Sequence, residues 1–200
     1  MSKTEIVNFT IKVKFFTYWH CSSGSSGGSS MDALVARDEN NLPYIPGKTL
    51  KGHIRDMAIT LKNDEDNKIF VNNCFGYSTE KEDFGYDKSK LSKPNKEREG
   101  KCYFSNATLN ELIEPKLSEY LYTSIASTAI GNNGIAKTGS LREIEAVVPL
   151  TLQATIKNIP IEYQDKMKKA IMQVKRIGLN RTRGWGRCEI TIDQEEEQND

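Results

Sequence analysis

Residues 5–17, Glu-Ile-Val-Asn-Phe-Thr-Ile-Lys-Val-Lys-Phe-Phe-Thr, alternate apolar and polar positions along nearly their whole length. Side chains of an extended chain point to alternate sides, so Val7, Phe9, Ile11, Val13 and Phe15 share one face. This pattern predicts a half-buried strand that needs a packed layer against one side only.

The rest of the chain supplies that layer. Residues 47–62 read as a helix, with Leu50, Ile54, Met57 and Leu61 at helical spacing as the buried stripe. Residues 102–109 and 147–156 read as strands. Residues 162–177 read as an amphipathic helix with Met167, Ala170, Ile171 and Val174 inward, and residues 188–192 close as a last strand. The order strand, helix, strand, strand, helix, strand predicts an α+β fold with a ferredoxin-like or RRM-like βαββαβ core. We expect one domain over residues 1–192, with a charged insertion at about 62–101. A thumb-like hairpin arm is expected at about 120–148, its tip at the turn-rich Ile130-Gly-Asn-Asn-Gly-Ile135. Residues 21–30, Cys-Ser-Ser-Gly-Ser-Ser-Gly-Gly-Ser-Ser, read as a flexible loop, and residues 193–200 as an acidic disordered tail.

Composition narrows the function. No apolar run is long enough to span a bilayer and no signal peptide opens the chain, so no membrane partner is expected. Cys21, Cys74, Cys102 and Cys188 form no CxxC pair, which argues against a zinc ribbon and for reduced thiols in a cytoplasmic protein. Two histidines, His20 and His53, are too few for a multi-histidine metal site. The net charge of +1 conceals an asymmetry. The tail holds five of the 27 acids, so residues 1–192 carry 28 bases against 22 acids, a net +6.

Positive charge gathers in two places. Gly178-Leu-Asn-Arg-Thr-Arg-Gly-Trp-Gly-Arg187 holds three glycines, three arginines and a tryptophan. Glycine lets a backbone approach another chain, and the arginine fork matches a phosphate. Trp185 offers a face for a base or packs in the core of a basic turn. Lys48, Lys51 and Arg55 share a second helix face, either a phosphate-binding or an ordinary solvated one.

Four segments in this order carry a resemblance: Trp19-His-Cys-Ser-Ser-Gly, Asp32-Ala-Leu-Val-Ala-Arg-Asp38, Leu42-Pro-Tyr-Ile-Pro-Gly-Lys-Thr-Leu-Lys-Gly-His-Ile-Arg55, and the Gly/Arg segment 178–187. Together they resemble the RAMP superfamily (repeat-associated mysterious proteins), and within it the backbone subunit of type III CRISPR effector complexes. Cys74-Phe-Gly and Gly139-Ser-Leu-Arg-Glu-Ile-Glu145 add lesser matches. The resemblance implies copies of the chain stacked along a guide (CRISPR) RNA beside other type III effector subunits. Base pairing would read a complementary target RNA.

By the same resemblance, Asp32 is the catalytic residue of a metal-dependent endoribonuclease. It would hold Mg²⁺ or another divalent cation, or help deprotonate the RNA 2′-OH. Without the resemblance, Asp32 reads as a turn or cap residue, and Asp38 is a nearby structural competitor. His20, Lys48, Lys51, Arg55, Arg181, Arg183 and Arg187 are the implied RNA-binding residues, with Gly47 and Gly52 allowing close approach. His20 reads equally as a core histidine, and His53 as a surface or packing one. Two departures stand out: Ile125 is followed by Ala-Ser where the family thumb carries an Asp-Arg pair, and Asn180 replaces a frequent glycine. The alternatives are a non-catalytic scaffold of the same complex, a guide-RNA-processing RAMP endonuclease, and a small ligand-binding or assembly domain that binds no nucleic acid.

Overall fold

The computed structural model describes residues 5–22, 33–78, 84, 87–90, 99–109, 115–132 and 134–198. Asp32, the Ser/Gly stretch 23–30 and most of 79–98 lie outside the described residues. In chain order the elements are β1 (Ile6–Phe15), α1 (Gly47–Thr60), α2 (Glu65–Phe75), β2 (Tyr103–Phe104), β3 (Tyr122–Ser127), β4 (Arg142–Val147), β5 (Thr151–Pro160), α3 (Gln164–Gln173) and β6 (Cys188–Gln198). The architecture is mixed α+β. Strands β2-β5-β1-β6 form one sheet with every neighbouring pair antiparallel, and β3 and β4 form a separate hairpin.

β1 is the centre of the molecule. Its inward face is buried as the alternation requires, with Val7, Phe9, Ile11 and Val13 at 0% exposure and Phe15 at 3%. Leu50, Ile54 and Ala58 of α1 are buried in the same core as Met167, Ala170 and Ile171 of α3. Burying one such Leu, Ile or Phe stabilises the fold by roughly 1.5–3 kcal/mol. The expected stripe of α1 is complete at Leu50 and Ile54, while Met57 and Leu61 are only partly buried and Ala58 takes the inner position. All four residues expected inward on α3 are buried, Val174 as its C-cap.

Three expectations are corrected. The stretch read as a charged insertion contains α2, whose Phe70, Val71, Cys74 and Phe75 enter the core. Asp64 caps it by accepting from the Asn67 amide at 2.8 Å, Glu65 and Asp66 favour its first turn, and Gly76 ends it at φ 99°. Asn67 also donates to the Ala58 and Lys62 carbonyls, at 3.0 and 2.7 Å, satisfying the end of α1. The strand read at 147–156 is two elements, β4 and β5, separated at Pro149, which has no amide to donate to a ladder.

The third correction concerns the acidic tail. Residues 193–198 continue β6 instead of being disordered. Gln194 pairs with Thr10, Glu195 with Phe9 and Gln198 with Ile6. Lys12 meets Asp193 and Lys168 meets Glu195, both at 2.9 Å. Composition argues for a solvated tail, but the free edge of β1 offers backbone partners and lysines answer the acids. All four cysteines are free and buried. Among the described residues no helix is long and apolar enough to cross a membrane.

Candidate nucleic-acid interface

The Gly/Arg segment forms a closed loop between α3 and β6. Arg176 and Arg187 bridge across its neck, and the Ile177 amide donates to the Gly186 carbonyl at 2.9 Å. The loop lies on residues 18–20: Leu179 donates to the His20 carbonyl at 2.9 Å and Gly186 to the Tyr18 carbonyl at 2.7 Å. Two glycines make this seating possible. Gly178 has φ 95°, and a Cβ there would collide with the His20 carbonyl oxygen. Gly186 has φ 66°, and a Cβ would collide with the Ile177 carbonyl oxygen. Close approach is real, but its target is the protein's own backbone.

Between these anchors, Asn180 (φ 55°) and Gly184 (φ 88°) bracket a 3₁₀ turn at Arg181–Arg183. Asn180 adopts the left-handed conformation that glycine supplies elsewhere, which accounts for its standing at a glycine position. Trp185 is half-buried. Arg181 reaches His53 Nδ1 on α1 at 3.2 Å. Burial, and then the Arg181 charge, hold the His53 ring below its ordinary pKa, so the neutral ring accepts from the guanidinium. Arg176 Nη1 donates to the Arg181 carbonyl at 2.6 Å, fixing the turn from its other side.

Arg183 faces a different neighbour. An open cleft of about 620 Å³ is lined by Arg183 from the loop, Ser127 and Thr128 from the β3 side of the arm, and Ser140 and Arg142 from the β4 side. Arg142 was not singled out in the sequence, although it lies in the Gly139–Glu145 segment. The arm carries large apolar residues at its far end, with Ile130 61%, Ile135 65% and Leu141 70% exposed. Asn133, at its tip, lies outside the described residues.

The base of the arm is bound to the segment that follows Asp32. Ala33 bridges Ile144, and the Glu145 amide donates to the Ala33 carbonyl at 3.2 Å. Glu145 is 5% exposed. Its carboxylate accepts from the Val35 amide at 2.9 Å and pairs with Arg37. Arg37 also lies over the Tyr122 ring, 3.7 Å from its centroid, and burial pushes the Tyr122 hydroxyl up to about 12. One buried carboxylate thus joins residues 33–37 to the arm. Asp38 accepts from the Asn40 and Leu42 amides, both at 2.9 Å, and is a turn-forming residue.

His20 is beneath the surface, at 1% exposure, where no RNA phosphate would touch it. Nδ1 lies 2.7 Å from the Glu145 carbonyl, and Nε2 has no hydrogen-bond partner among the described residues. With its own carbonyl bonded to Leu179, His20 is a joint between the Gly/Arg loop and β4.

The α1 cations are not brought to the Arg181–Arg183 turn. Lys48, Lys51 and Arg55 share a face, whereas His53, which contacts that turn, lies roughly 140–160° around the helix from them at 100° per residue. Lys48 is exposed and Lys51 and Arg55 are half-buried. Burial lowers the Lys51 pKa, with Cys102 and Glu99 opposing the shift, so this lysine turns toward the β2 side. Gly47 is an internal contact: a Cβ would collide with the Phe104 carbonyl oxygen, and its amide is taken by Asn106 Oδ1 at 2.8 Å. Gly52 has open space where a Cβ would be, and remains suited to close approach by a ligand.

Among the described residues no group of three or more His, Cys, Asp or Glu is placed to hold a metal ion. Asp38 and Glu145 are committed to a turn and an ion pair, so the described carboxylates beside this segment do not form a ligand set.

Residues 12–189 match the RAMP superfamily, and the chain belongs to it. No curated protein sequence matches the chain. Two of the solved structures that share its fold are chains of Type III-B Cmr-beta. A chain of Type III-B Cmr-beta bound to cognate target RNA, seen by cryo-electron microscopy, aligns at TM-score 0.64 and 16% identity over 98% of this chain. The present chain spans 61% of that chain's length. A chain of apo Type III-B Cmr-beta aligns at TM-score 0.65 and 12% identity, covering 94% of this chain and 97% of that one.

Proposed function

We infer that this protein is a guide-RNA-binding backbone subunit of a type III CRISPR effector complex that cleaves complementary target RNA through Asp32. The observation that carries this reading is the cleft in which Arg183 of the Gly/Arg loop and Arg142 of the arm come together, beside the strand to which residue 33 is bridged. Cations from two separate elements suit a polyanion that crosses both. The sheet order β2-β5-β1-β6, with helices crossing between its strands, supports a ferredoxin-like βαββαβ core as the platform. Membership of the RAMP superfamily and the likeness to Cmr-beta support assembly with guide RNA, target RNA, further copies and other type III subunits.

In the proposed reaction the RNA 2′-oxygen attacks its own phosphorus, the bond to the 5′-oxygen breaks, and the departing oxygen takes a proton from water. The products are a 2′,3′-cyclic phosphate and a 5′-OH. The Asp32 carboxylate takes the 2′-OH proton, and a kinked RNA backbone aligns attack and departure. A divalent cation, Mg²⁺ foremost, would neutralise charge on the phosphate when held by Asp32. Arg183 and Arg142 hold phosphates on either side, and the exposed apolar tip of the arm presses between bases.

The complex assembled with guide RNA and Mg²⁺ tests this against matched, labelled target RNA. Evenly spaced cuts that vanish in Asp32→Ala while target binding persists are the expected result. Tight guide-dependent binding with no cuts by either protein makes the chain a scaffold. Cutting that survives Asp32→Ala removes Asp32 from the mechanism.

A further inference from the structure

We propose that the cavity beside Phe16 is a single-nucleotide site, taking an RNA base against the Phe16 ring and its phosphate on Arg187 and Lys175. This rests on the RNA-binding reading above and adds to it a place where RNA is held by stacking. β1 ends with Phe15 facing the core, so the next residue in the alternation points outward, and Phe16 is 45% exposed. The cavity measures about 600 Å³ and is lined by Phe16, Lys175, Arg176, Arg187, Cys188 and Glu189. That size lies within the range of small-ligand sites, roughly 300–1,000 Å³.

Its chemistry is two-sided. Lys14 Nζ lies 5.6 Å and Arg187 Cζ 5.9 Å from the ring centroid, so the aromatic face is flanked by cations. With Lys175 and Arg176, four cations surround the ring and its cavity, and among the described residues the lining holds one carboxylate, Glu189. An acidic peptide would satisfy the cations and leave the ring wet. An apolar segment would cover the ring and desolvate the cations at a cost. A nucleotide uses both at once, its base on the ring and its phosphate on the guanidinium and ammonium groups.

The site is also held in shape before any ligand arrives. The Phe16 amide donates to the Arg187 carbonyl at 2.9 Å, and the Arg187 amide to Thr17 Oγ1 at 3.0 Å. Arg176, bonded to the Arg181 carbonyl, connects this cavity to the turn that carries Arg183. Cys188 stays a neutral thiol, since burial pushes it up to about 12.

The test uses the full chain and single-stranded RNAs that each carry one 2-aminopurine, placed in turn along the strand. Wild type quenches the fluorophore at some positions. Phe16→Leu loses the quenching and binds roughly 5- to 150-fold more weakly, the range for one base–aromatic stack, with an unchanged salt slope. Phe16→Trp restores both, which separates stacking from loss of fold. Lys175→Ala keeps the quenching and lowers the salt slope by about 0.7. Quenching and affinity unchanged in Phe16→Leu, with wild type binding RNA, overturn the nucleotide site and leave the RNA-binding reading standing. A Phe16→Leu effect on self-association by sedimentation without one on RNA affinity also overturns it and assigns the cavity to a neighbouring copy. Wild type that binds none of the RNAs removes both readings.

Discussion

The Gly/Arg loop and the hairpin arm both present residues to the same cleft, yet they are built in opposite ways. The loop is pinned to the core at both ends: Gly178 and Gly186 press against backbone carbonyls, and Leu179 and Gly186 donate into residues 18–20. Its arginines stand on a backbone with little freedom. The arm is anchored at its root, where Glu145, Ala146 and Val147 are buried, and its far end carries exposed isoleucines and a leucine. Cations that must meet phosphates at set spacing profit from a fixed platform. An apolar tip exposed to solvent is suited to bury itself in something else.

The largest effect is expected where the arm's root meets residues 33–37. Glu145→Ala leaves Arg37 and the Val35 amide without their shared acceptor and should lower stability by about 3 kcal/mol in urea denaturation. A loss under 1 kcal/mol would mean the root is held by its apolar contacts alone. Next, Gly186→Ala combines positive φ with a collision against the Ile177 carbonyl and should cost about 2 kcal/mol or more. Gly184→Ala, with positive φ but open space, should cost about half as much. Equal costs would show that conformation, not close approach, fixes the loop.

His53 gives a smaller, pH-dependent effect. Its folded pKa is depressed below the ordinary 6.5, so the unfolded chain binds more protons in the window between the two values. Its contribution is therefore present above pH 6.5 and lost as pH falls through the folded pKa. Wild type should lose thermal stability on acidification across that window more steeply than His53→Ala. Parallel pH profiles would separate His53 from the seating of Arg181.

The smallest stability effects separate support from function. Arg183→Ala should change stability by no more than about 0.5 kcal/mol while lowering the salt slope of single-stranded RNA binding by about 0.7. An unchanged slope would remove Arg183 from phosphate contact. Ile135→Ser, at the exposed end of the arm, should likewise stay within about 0.5 kcal/mol. A larger loss would mean that the tip packs on the body of its own chain.

Much of this was legible in local pattern, and the exceptions have physical causes. The alternation in β1 and the helical spacing of Met167, Ala170, Ile171 and Val174 predicted which side chains are buried, because period alone decides which residues share a face. The helix α2 also had local signals, an Asp cap, an acidic first turn and a terminal glycine, but charged flanks obscured its apolar residues. The Gly/Arg loop was visible as a chemical type. That its glycines serve internal seating, and that Arg181 and Arg183 turn to different neighbours, depends on which strand lies beneath the loop.

The sequence by itself determined the central strand, the two main helices, the basic character of residues 178–187 and membership of the RAMP superfamily. Each of these depends on residue type and spacing along a short length of chain. Tertiary structure alone decided that the acidic residues 193–198 are a strand, that His20 is a buried joint, and that Arg142 meets Arg183 across a cleft. It also set the cations of α1 apart from the Arg181–Arg183 turn. These outcomes depend on partners far away in sequence, since an unpaired strand edge or a buried carboxylate selects its neighbour by position in space rather than by position in the chain.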